Sequence, residues 1–194
     1  MNRDLLLYAA HAVFWASFGV TRMLLPKRSE ADAPATSSTA EAPYSRLVLG
    51  VHFVAFLVLY MGIGAAVIPG RVPQRFPHQR ITGAVVILIG AALASWAIAS
   101  FHSWRFRAKL DAGHQLATDG AFALLRHPIY AAINLLALGS ALWAETIVTW
   151  IGFALIVIGS EVRARSEESL LRRVFGDAYV EYMRRTKRFV PWLY

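Results

Sequence analysis

The sequence predicts an all-α integral membrane protein: five transmembrane helices, the last two forming a helical hairpin, followed by a cytosolic amphipathic helix. Of the 194 residues, 57% are hydrophobic and only 16% are charged, and the charged residues stand between five long apolar runs. A chain of this size with a mean hydropathy of +0.45 is too apolar for a soluble domain.

The charge distribution and the cysteine count exclude several function classes. The formal net charge of +8 comes from Lys and Arg residues that flank the apolar runs rather than gather on one element. That arrangement is typical of membrane topology, so we expect no nucleic-acid partner. The absence of cysteine excludes disulfides, thiolate metal sites and a cysteine nucleophile. The histidines show no ligand-like spacing, and we expect no metal site.

The first three runs form the predicted N-terminal unit, residues 1–101. They extend over Leu5 to Leu25, Leu47 to Ile68 and Ile81 to Phe101, each long enough to cross the hydrocarbon core. The segments 29–43 and 71–80 between them are rich in turn-forming residues and are expected to be loops. Small residues on one face of the third run, among them Gly83 and Gly90, favour close packing against a neighbouring helix.

The second predicted unit, residues 102–194, begins with a polar segment from His102 to Leu125 and continues into two further apolar runs. These runs, 129–144 and 146–160, have only Glu145 between them, which predicts a tight helical hairpin. After Ser160, apolar residues recur at three- and four-residue spacing, which predicts an amphipathic helix that lies on the membrane or caps the bundle. Gly176 is expected to interrupt this helix.

The distribution of positive charge predicts the orientation. With five spans, four Lys and Arg residues fall on the side of the N-terminus and sixteen on the other. Since Lys and Arg accumulate in cytosolic loops, we expect an extracytosolic N-terminus and a cytosolic C-terminus.

The run Arg126-His127-Pro128-Ile129-Tyr130 stands at the beginning of the hairpin. Pro128 suits the first turn of a helix, where its missing N–H costs nothing. A second polar cluster, 161–168, follows the other arm. Both clusters are therefore expected at the open, cytosolic end of the hairpin.

The residues from His114 onward resemble the isoprenylcysteine carboxyl methyltransferase family, which is itself similar to the phospholipid N-methyltransferases. The resemblance covers roughly the last eighty residues, and its motifs keep their order and spacing. They are His114-Gln115-Leu116-Ala117, Gly120-Ala121-Phe122, Arg126-His127-Pro128-Ile129-Tyr130, Arg163, Glu167-Glu168, Phe175-Gly176-Asp177-Ala178-Tyr179 and Arg188-Phe189-Val190-Pro191.

The resemblance implies methyl transfer from S-adenosylmethionine to the carboxylate of an isoprenylcysteine-like acceptor that enters from the bilayer. It identifies 102–194 as the methyltransferase core, with Arg163 and Glu167 as catalytic candidates and Arg163 as the contact to the substrate carboxylate. The implied cofactor contacts are His114, Gln115, Leu116, Ala117, Phe122, His127, Pro128, Ile129, Tyr130, Glu167 and Glu168. Phe122 stands where the family has tyrosine, and Ala117 replaces a larger aliphatic residue.

Alternatives remain open at this stage. The acceptor could be a phospholipid amine, which must lose a proton before attack and would make His127 or Glu168 a general base. A lipophilic thiol is another possible acceptor. The third alternative is a non-catalytic membrane protein of the same fold. Without the other motifs, Glu167 and Glu168 would be read as a solvated helix face, paired with Arg163 and Arg172 four residues away. The sequence fixes neither the acceptor nor the oligomeric state, and membrane lipids are the other expected partners.

Overall fold

The computed structural model describes residues 4–24, 40–41, 45–68, 77–100, 109–110 and 116–194. Over these residues the protein is built from helices, apart from one pair of two-residue antiparallel strands, β1 (Ala40–Glu41) and β2 (Lys109–Leu110). The α-helices are α1 (Leu5–Leu24), α2 (Ser45–Val67), α3 (Pro77–Ser100), α4 (Pro128–Ala144), α5 (Ile147–Phe175) and α6 (Asp177–Arg185), and a 3-10 helix spans Gly120–Ala123.

Only two residues, Glu145 and Thr146, connect α4 to α5. Glu145 takes a left-handed conformation (φ 52°) that ends α4, and its N–H donates to the Ala141 carbonyl oxygen. Thr146 then caps α5, because its hydroxyl accepts a hydrogen bond from the Thr149 N–H at 3.1 Å. The two helices pack against each other, so the residues at the start of α4 lie beside the far half of α5.

Glycines allow the helices to approach closely. A Cβ atom on Gly83 of α3 would lie 2.5 Å from the carbonyl oxygen of Gly139 on α4, and a Cβ on Gly139 would lie equally close to the Gly83 carbonyl oxygen. On the other side of the bundle, a Cβ on Gly152 of α5 would lie 2.7 Å from the backbone of Leu59 on α2. Such close contacts stabilise helix association in lipid, where burial of apolar surface provides little driving force. The small-residue face predicted for the third run therefore meets α4.

Within the described residues, three helices are long and apolar enough to cross a membrane: Leu49–Val67, His78–Ser100 and Ile147–Phe175. Two shorter apolar helices, Leu5–Thr21 and Pro128–Ala144, stand beside them. Large apolar side chains point outward, including Phe53, Ile81 and Ile147, each more than half exposed. A surface of this kind suits lipid rather than water, and the protein is an integral membrane protein.

Three predictions from the sequence were wrong in detail. α3 begins at Pro77, so residues 77–80 belong to the helix rather than to the preceding loop. The residues directly after Ser160 continue α5 to Phe175, because no glycine or proline stands between Ser160 and Gly176. Gly176 (φ 52°) interrupts the helix as predicted, and the separate amphipathic helix is α6. The strand pair lies in segments predicted as loops.

Candidate active site

The start of α4 is paired with the segment that follows α6. The Arg126 N–H donates to the Lys187 carbonyl oxygen at 2.7 Å, and the His127 N–H donates to the Arg188 carbonyl oxygen at 3.2 Å. Pro128, which has no N–H, follows as the first residue of α4. These bonds place the side chains of Arg126, His127 and Arg188 next to the polar half of α5.

Glu168 on α5 is the centre of this arrangement. Its carboxylate accepts a hydrogen bond from Arg126 Nε at 2.9 Å and two from Arg188, through Nε at 3.0 Å and Nη2 at 2.7 Å. The side chain of Glu168 is only 5% exposed and that of Arg126 only 9%. A buried carboxylate is tolerable when it has such partners. Glu168 therefore holds three segments of the chain together.

His127 lies between the two adjacent glutamates. Its Nδ1 is 3.7 Å from Glu167 Oε2 and its Nε2 is 3.4 Å from Glu168 Oε1. The second contact lacks hydrogen-bond geometry, so Nε2 is a buried nitrogen without a hydrogen-bond partner among the described residues. The imidazole also stacks on the Tyr130 ring, with centroids 5.6 Å apart and planes at 14°.

Glu167 has different partners from Glu168. Its Oε1 accepts hydrogen bonds from the Tyr130 hydroxyl and, at 3.2 Å, from Arg163 Nε. The Arg163 guanidinium lies over the Tyr130 ring, 5.3 Å from its centroid. The Glu167 side chain is 20% exposed, so Glu167 is the more accessible of the two carboxylates.

A third carboxylate extends the network outward. Glu161 Oε1 accepts hydrogen bonds from Arg188 Nη1 at 2.6 Å and from the Tyr194 hydroxyl at 2.8 Å, and it pairs with Arg165. The hydrogen bonds that Arg188 makes to Glu168, together with the nearby negative charges, raise the pKa of its guanidinium above the ordinary value. Arg188 thus bridges two carboxylates that are seven residues apart on α5.

Helix α6 closes the site through two buried tyrosines. The Tyr182 hydroxyl donates to the Phe122 carbonyl oxygen at 2.7 Å, which ties α6 to the 3-10 helix. Burial raises the pKa of Tyr182 above its usual value, and burial and then the Glu168 charge raise that of Tyr179. The Tyr179 hydroxyl has no hydrogen-bond partner within the described part of the chain.

The structure brings five of the predicted site residues into contact with one another. The group in contact is His127, Tyr130, Arg163, Glu167 and Glu168.

The other predicted site residues that the structure describes lie on α4, on the 3-10 helix and in the segment ahead of the 3-10 helix. Phe122 is buried, Ile129 is half-buried on α4, and Leu116 and Ala117 are half-buried ahead of the 3-10 helix. His114 and Gln115 lie outside the described residues. The prediction that two separate polar segments meet at one end of α4 and α5 is confirmed; the roles of the individual residues stay predictions.

The sequence analysis assigned no individual role to Arg188 or to Arg126. The Arg188-Phe189-Val190-Pro191 motif was the available signal for Arg188. The alternative in which Glu168 pairs with Arg172 differs from the structure, because Glu168 takes Arg126 and Arg188 as partners while Arg172 contacts Met183. Among the described residues, no group of His, Asp and Glu side chains could hold a metal ion.

Comparison with known proteins identifies the family of this bundle. The phospholipid methyltransferase family model matches residues 78–178, which include almost all of α3, all of α4 and α5, and the contact group around His127. The chain belongs to this family. It is therefore a membrane methyltransferase, and the resemblance predicted from its C-terminal motifs is confirmed.

Two curated relatives of this protein share one activity in their names. Protein-S-isoprenylcysteine O-methyltransferase B of Arabidopsis thaliana is 28% identical over 169 residues, which cover 83% of this chain and 84% of the relative. Protein-S-isoprenylcysteine O-methyltransferase of Schizosaccharomyces pombe is 32% identical over 84 residues, 43% of this chain and 36% of that protein. The eukaryotic intramembrane Ras methyltransferase ICMT superposes with a TM-score of 0.62 at 17% identity, over 100% of this chain and 68% of that one. This last likeness shows the fold.

Proposed function

We propose that the protein transfers a methyl group from S-adenosylmethionine to the carboxylate of an isoprenylcysteine-like lipophilic acceptor. The observation that carries the proposal is the position of His127, at the start of α4, between Glu167 and Glu168 of α5. Two of the motifs that the resemblance assigns to the cofactor, the one that contains His127 and the Glu167-Glu168 pair, are thus in contact. The named activity of the curated relatives supports the same acceptor.

The chemistry of the donor set fits this cofactor. Glu167 offers a partly accessible carboxylate suited to an ammonium group or to ribose hydroxyls. His127 and Tyr130 present stacked aromatic surfaces suited to a purine, and His127 Nε2 is a buried polar atom without a hydrogen-bond partner in the described chain. We propose that the predicted contacts at 114–117, Phe122 and 127–130 complete the same site.

Glu167 and Glu168 would contribute differently. Glu168 is enclosed by Arg126 and Arg188, so its carboxylate has little capacity left for a ligand. We propose that Glu168 mainly fixes His127 and the segment around Arg188, whereas Glu167 contacts the cofactor directly.

When bound, S-adenosylmethionine supplies a methyl group that is already activated, and a carboxylate acceptor is already ionised at neutral pH. The chain therefore needs to align the reactants and exclude water. Alignment alone lowers a barrier by roughly 7–11 kcal/mol in the best intramolecular cases. Arg163 would orient the acceptor carboxylate through its planar guanidinium, which the Tyr130 ring and Glu167 hold in place.

The proposed topology follows from the same arrangement. We propose that α1 to α5 all cross the membrane, with an extracytosolic N-terminus, so that the cofactor reaches His127 from the cytosol. The acceptor would enter sideways from the bilayer between the helices. Residues 1–101 would then line the acceptor side, and residues 102–194 would form the methyltransferase core.

A phospholipid amine is the second candidate acceptor. The matched family model carries the description phospholipid methyltransferase, and an amine must lose a proton before attack. His127, whose Nε2 has no hydrogen-bond partner among the described residues, is the group placed to accept that proton.

The test is methyl transfer by the purified full chain in lipid nanodiscs. Labelled S-adenosylmethionine is offered with S-farnesylcysteine or with phosphatidylethanolamine, and cofactor binding is measured separately. We expect saturable binding and a labelled ester of farnesylcysteine. Glu167→Gln should weaken cofactor binding by about 10- to 100-fold, the usual cost of a hydrogen bond to a charged group.

Glu181→Gln is the matched control, because Glu181 makes only exposed pairs on α6. If the labelled methyl group appears only in phospholipid, the acceptor is the phospholipid amine rather than the isoprenylcysteine-like carboxylate. The absence of saturable cofactor binding in the unmodified chain would overturn both.

A further inference from the structure

The turn formed by residues 190–194 exposes two large apolar side chains. Trp192 is 88% exposed and Leu193 is 77% exposed. The turn is closed by its own main chain, because the Tyr194 N–H donates to the Val190 carbonyl oxygen at 3.0 Å and a main-chain oxygen of Tyr194 accepts from the Val190 N–H at 2.8 Å. Trp192 takes a left-handed conformation (φ 62°) that residues with a side chain rarely adopt. Indoles fixed in an exposed position are typical of contact surfaces.

Contacts with α5 fix the height of the 190–194 turn along the bundle. The Tyr194 hydroxyl donates to Glu161 Oε1 at 2.8 Å, and the Arg188 guanidinium lies over the Tyr194 ring, 5.3 Å from its centroid. Glu161 is the first charged residue of α5 after the apolar run 147–160. Since charged side chains are costly in hydrocarbon, Glu161 marks the level at which α5 leaves the lipid core. The 190–194 turn therefore lies at the level of the lipid headgroups.

The face of α5 that carries Glu161 also carries exposed apolar residues. Ile158 is 58% exposed and Val162 is 49% exposed. Residues three and four apart share a helix face, so Glu161 and Val162 both stand beside Ile158. Trp192 and Leu193 thus extend a lipid-facing surface of the bundle at its edge, where tryptophan is enriched in membrane proteins. This continuity favours lipid as the partner of the turn.

The exposed charges close to the turn are mostly positive. Helix α6 runs back to the start of α4, because the Arg126 guanidinium donates to the carbonyl oxygen of Thr186, the residue that follows α6. Three exposed cations stand at this end of α6, and Glu181 is the exposed acid that pairs with two of them. The cations are Arg184, Arg185 and Lys187. Lys and Arg side chains at a membrane surface attract anionic headgroups.

We propose that the 190–194 turn docks into an anionic lipid leaflet on the His127 side of the bundle. Trp192 and Leu193 lie among the headgroups, and the three cations at the end of α6 bind the anionic lipids. The docking does not depend on the identity of the methyl acceptor, so the proposal goes beyond the proposed function.

The position of the turn can be measured with a single label, because the chain has no cysteine. Leu193→Cys supplies one exposed thiol for a fluorophore. The full chain is placed in nanodiscs of phosphatidylcholine with an equal amount of phosphatidylserine, and quenching is measured with acrylamide in water and with a nitroxide attached to the lipid. We expect the label at position 193 to be quenched by the nitroxide and protected from acrylamide.

Ala178→Cys is the matched control for this measurement. Ala178 is an exposed residue at the beginning of α6. Between Glu161 and Phe175, α5 rises by about 21 Å, so the beginning of α6 lies well beyond the headgroups. The label at position 178 should be quenched by acrylamide and not by the lipid nitroxide.

Lys187→Gln tests the role of charge. The ratio of lipid-inserted to water-exposed label at position 193 is obtained from fluorescence lifetimes, with and without phosphatidylserine. One cation at a membrane surface changes such a ratio about fivefold. We expect Lys187→Gln to lower the ratio about fivefold with phosphatidylserine and to leave it unchanged in phosphatidylcholine alone. Arg173→Gln removes an exposed cation from the far end of α5 and should leave both ratios unchanged.

Three results would overturn the proposal. Acrylamide would quench the labels at positions 193 and 178 equally if the turn faced water. The label at position 193 would be protected from both quenchers if a protein, such as a second copy of the chain, covered the turn. Equal ratios with and without phosphatidylserine would show that anionic lipids are not bound. Methyl transfer is measured separately, so these results leave the proposed function standing or failing on its own test.

Discussion

Replacing Arg188 by alanine should destabilise the protein more than any other single charge removal around the site. The change deletes two hydrogen bonds to Glu168, at 2.7 and 3.0 Å, and one to Glu161 at 2.6 Å. Glu168 is 5% exposed and the Arg188 side chain 14%, so water cannot replace the lost partner.

The magnitude follows from the cost of leaving one member of a buried ion pair unpaired, about 3–5 kcal/mol. Glu168 keeps its hydrogen bond to Arg126, which favours the lower end, about 3 kcal/mol. For a chain of this length that loss corresponds to a fall in Tm of about 6–12 °C. The unfolding of the purified protein in detergent, followed by circular dichroism on heating and in denaturant, measures both quantities.

Arg184→Ala supplies the control. Arg184 pairs with Glu181 at 3.3 Å, but its side chain is 74% exposed, and exposed pairs contribute about 0–1 kcal/mol. The double variant Arg188→Ala with Glu168→Gln should lose less stability than the two single changes added together, because each single change already removes the ion pair that the two residues share. If Arg188→Ala loses no more stability than Arg184→Ala, the buried network does not hold the site together.

Three further predictions concern packing, alkaline stability and acceptor binding. Gly139→Ala places a Cβ 2.5 Å from a backbone oxygen of α3 and should lower the free energy of unfolding in denaturant by about 1–3 kcal/mol. Gly64→Ala is the control, because a Cβ there has nothing within 4 Å. Equal losses of stability in the two variants would contradict the close packing of α3 on α4. Burial and the Glu168 charge raise the pKa of Tyr179, so stability should fall as pH rises above about 10. Tyr179→Phe should reduce that loss and cost little at neutral pH; an unchanged alkaline slope would refute this. Arg163→Lys should raise the acceptor KM about tenfold, because lysine cannot form the two-pronged bond. Cofactor affinity should change less, because Glu167 keeps its hydrogen bond from Tyr130. The exposed Arg165→Lys is the control, and equal KM values for the two variants would refute the proposed role.

The sequence predicted the helices of the site well because their ends carry local signals. Pro128 determines the first turn of α4, and Gly176 ends α5 through a positive φ that most residues avoid. It also predicted the Arg163–Glu167 pair, since residues four apart on a helix are neighbours regardless of the rest of the fold. These features depend on a few consecutive residues.

The partners of Glu168 depend instead on tertiary structure. The spacing rule favoured Arg172, but Glu168 lies on the buried side of α5, facing the start of α4 and the segment after α6. Only the return of that segment brings Arg188 to the carboxylate. The contact between His52 of α2 and Ser160 of α5 is equally long-range. The apolar runs of a sequence do not indicate which helix packs against which. Sequence patterns thus indicated which residues matter more reliably than which residues meet.

The position of Arg163 favours an anionic acceptor over an amine. Arg126 and Arg188 already pair with the buried carboxylate of Glu168. Arg163 lies over the Tyr130 ring, and its side chain is only 16% exposed. A guanidinium group attracts a carboxylate and repels an ammonium group, and both effects are stronger where water is excluded. A phospholipid amine would have to approach Arg163 as a cation or lose its proton first. Methylation of an acceptor carboxylate therefore accords better with the position of Arg163.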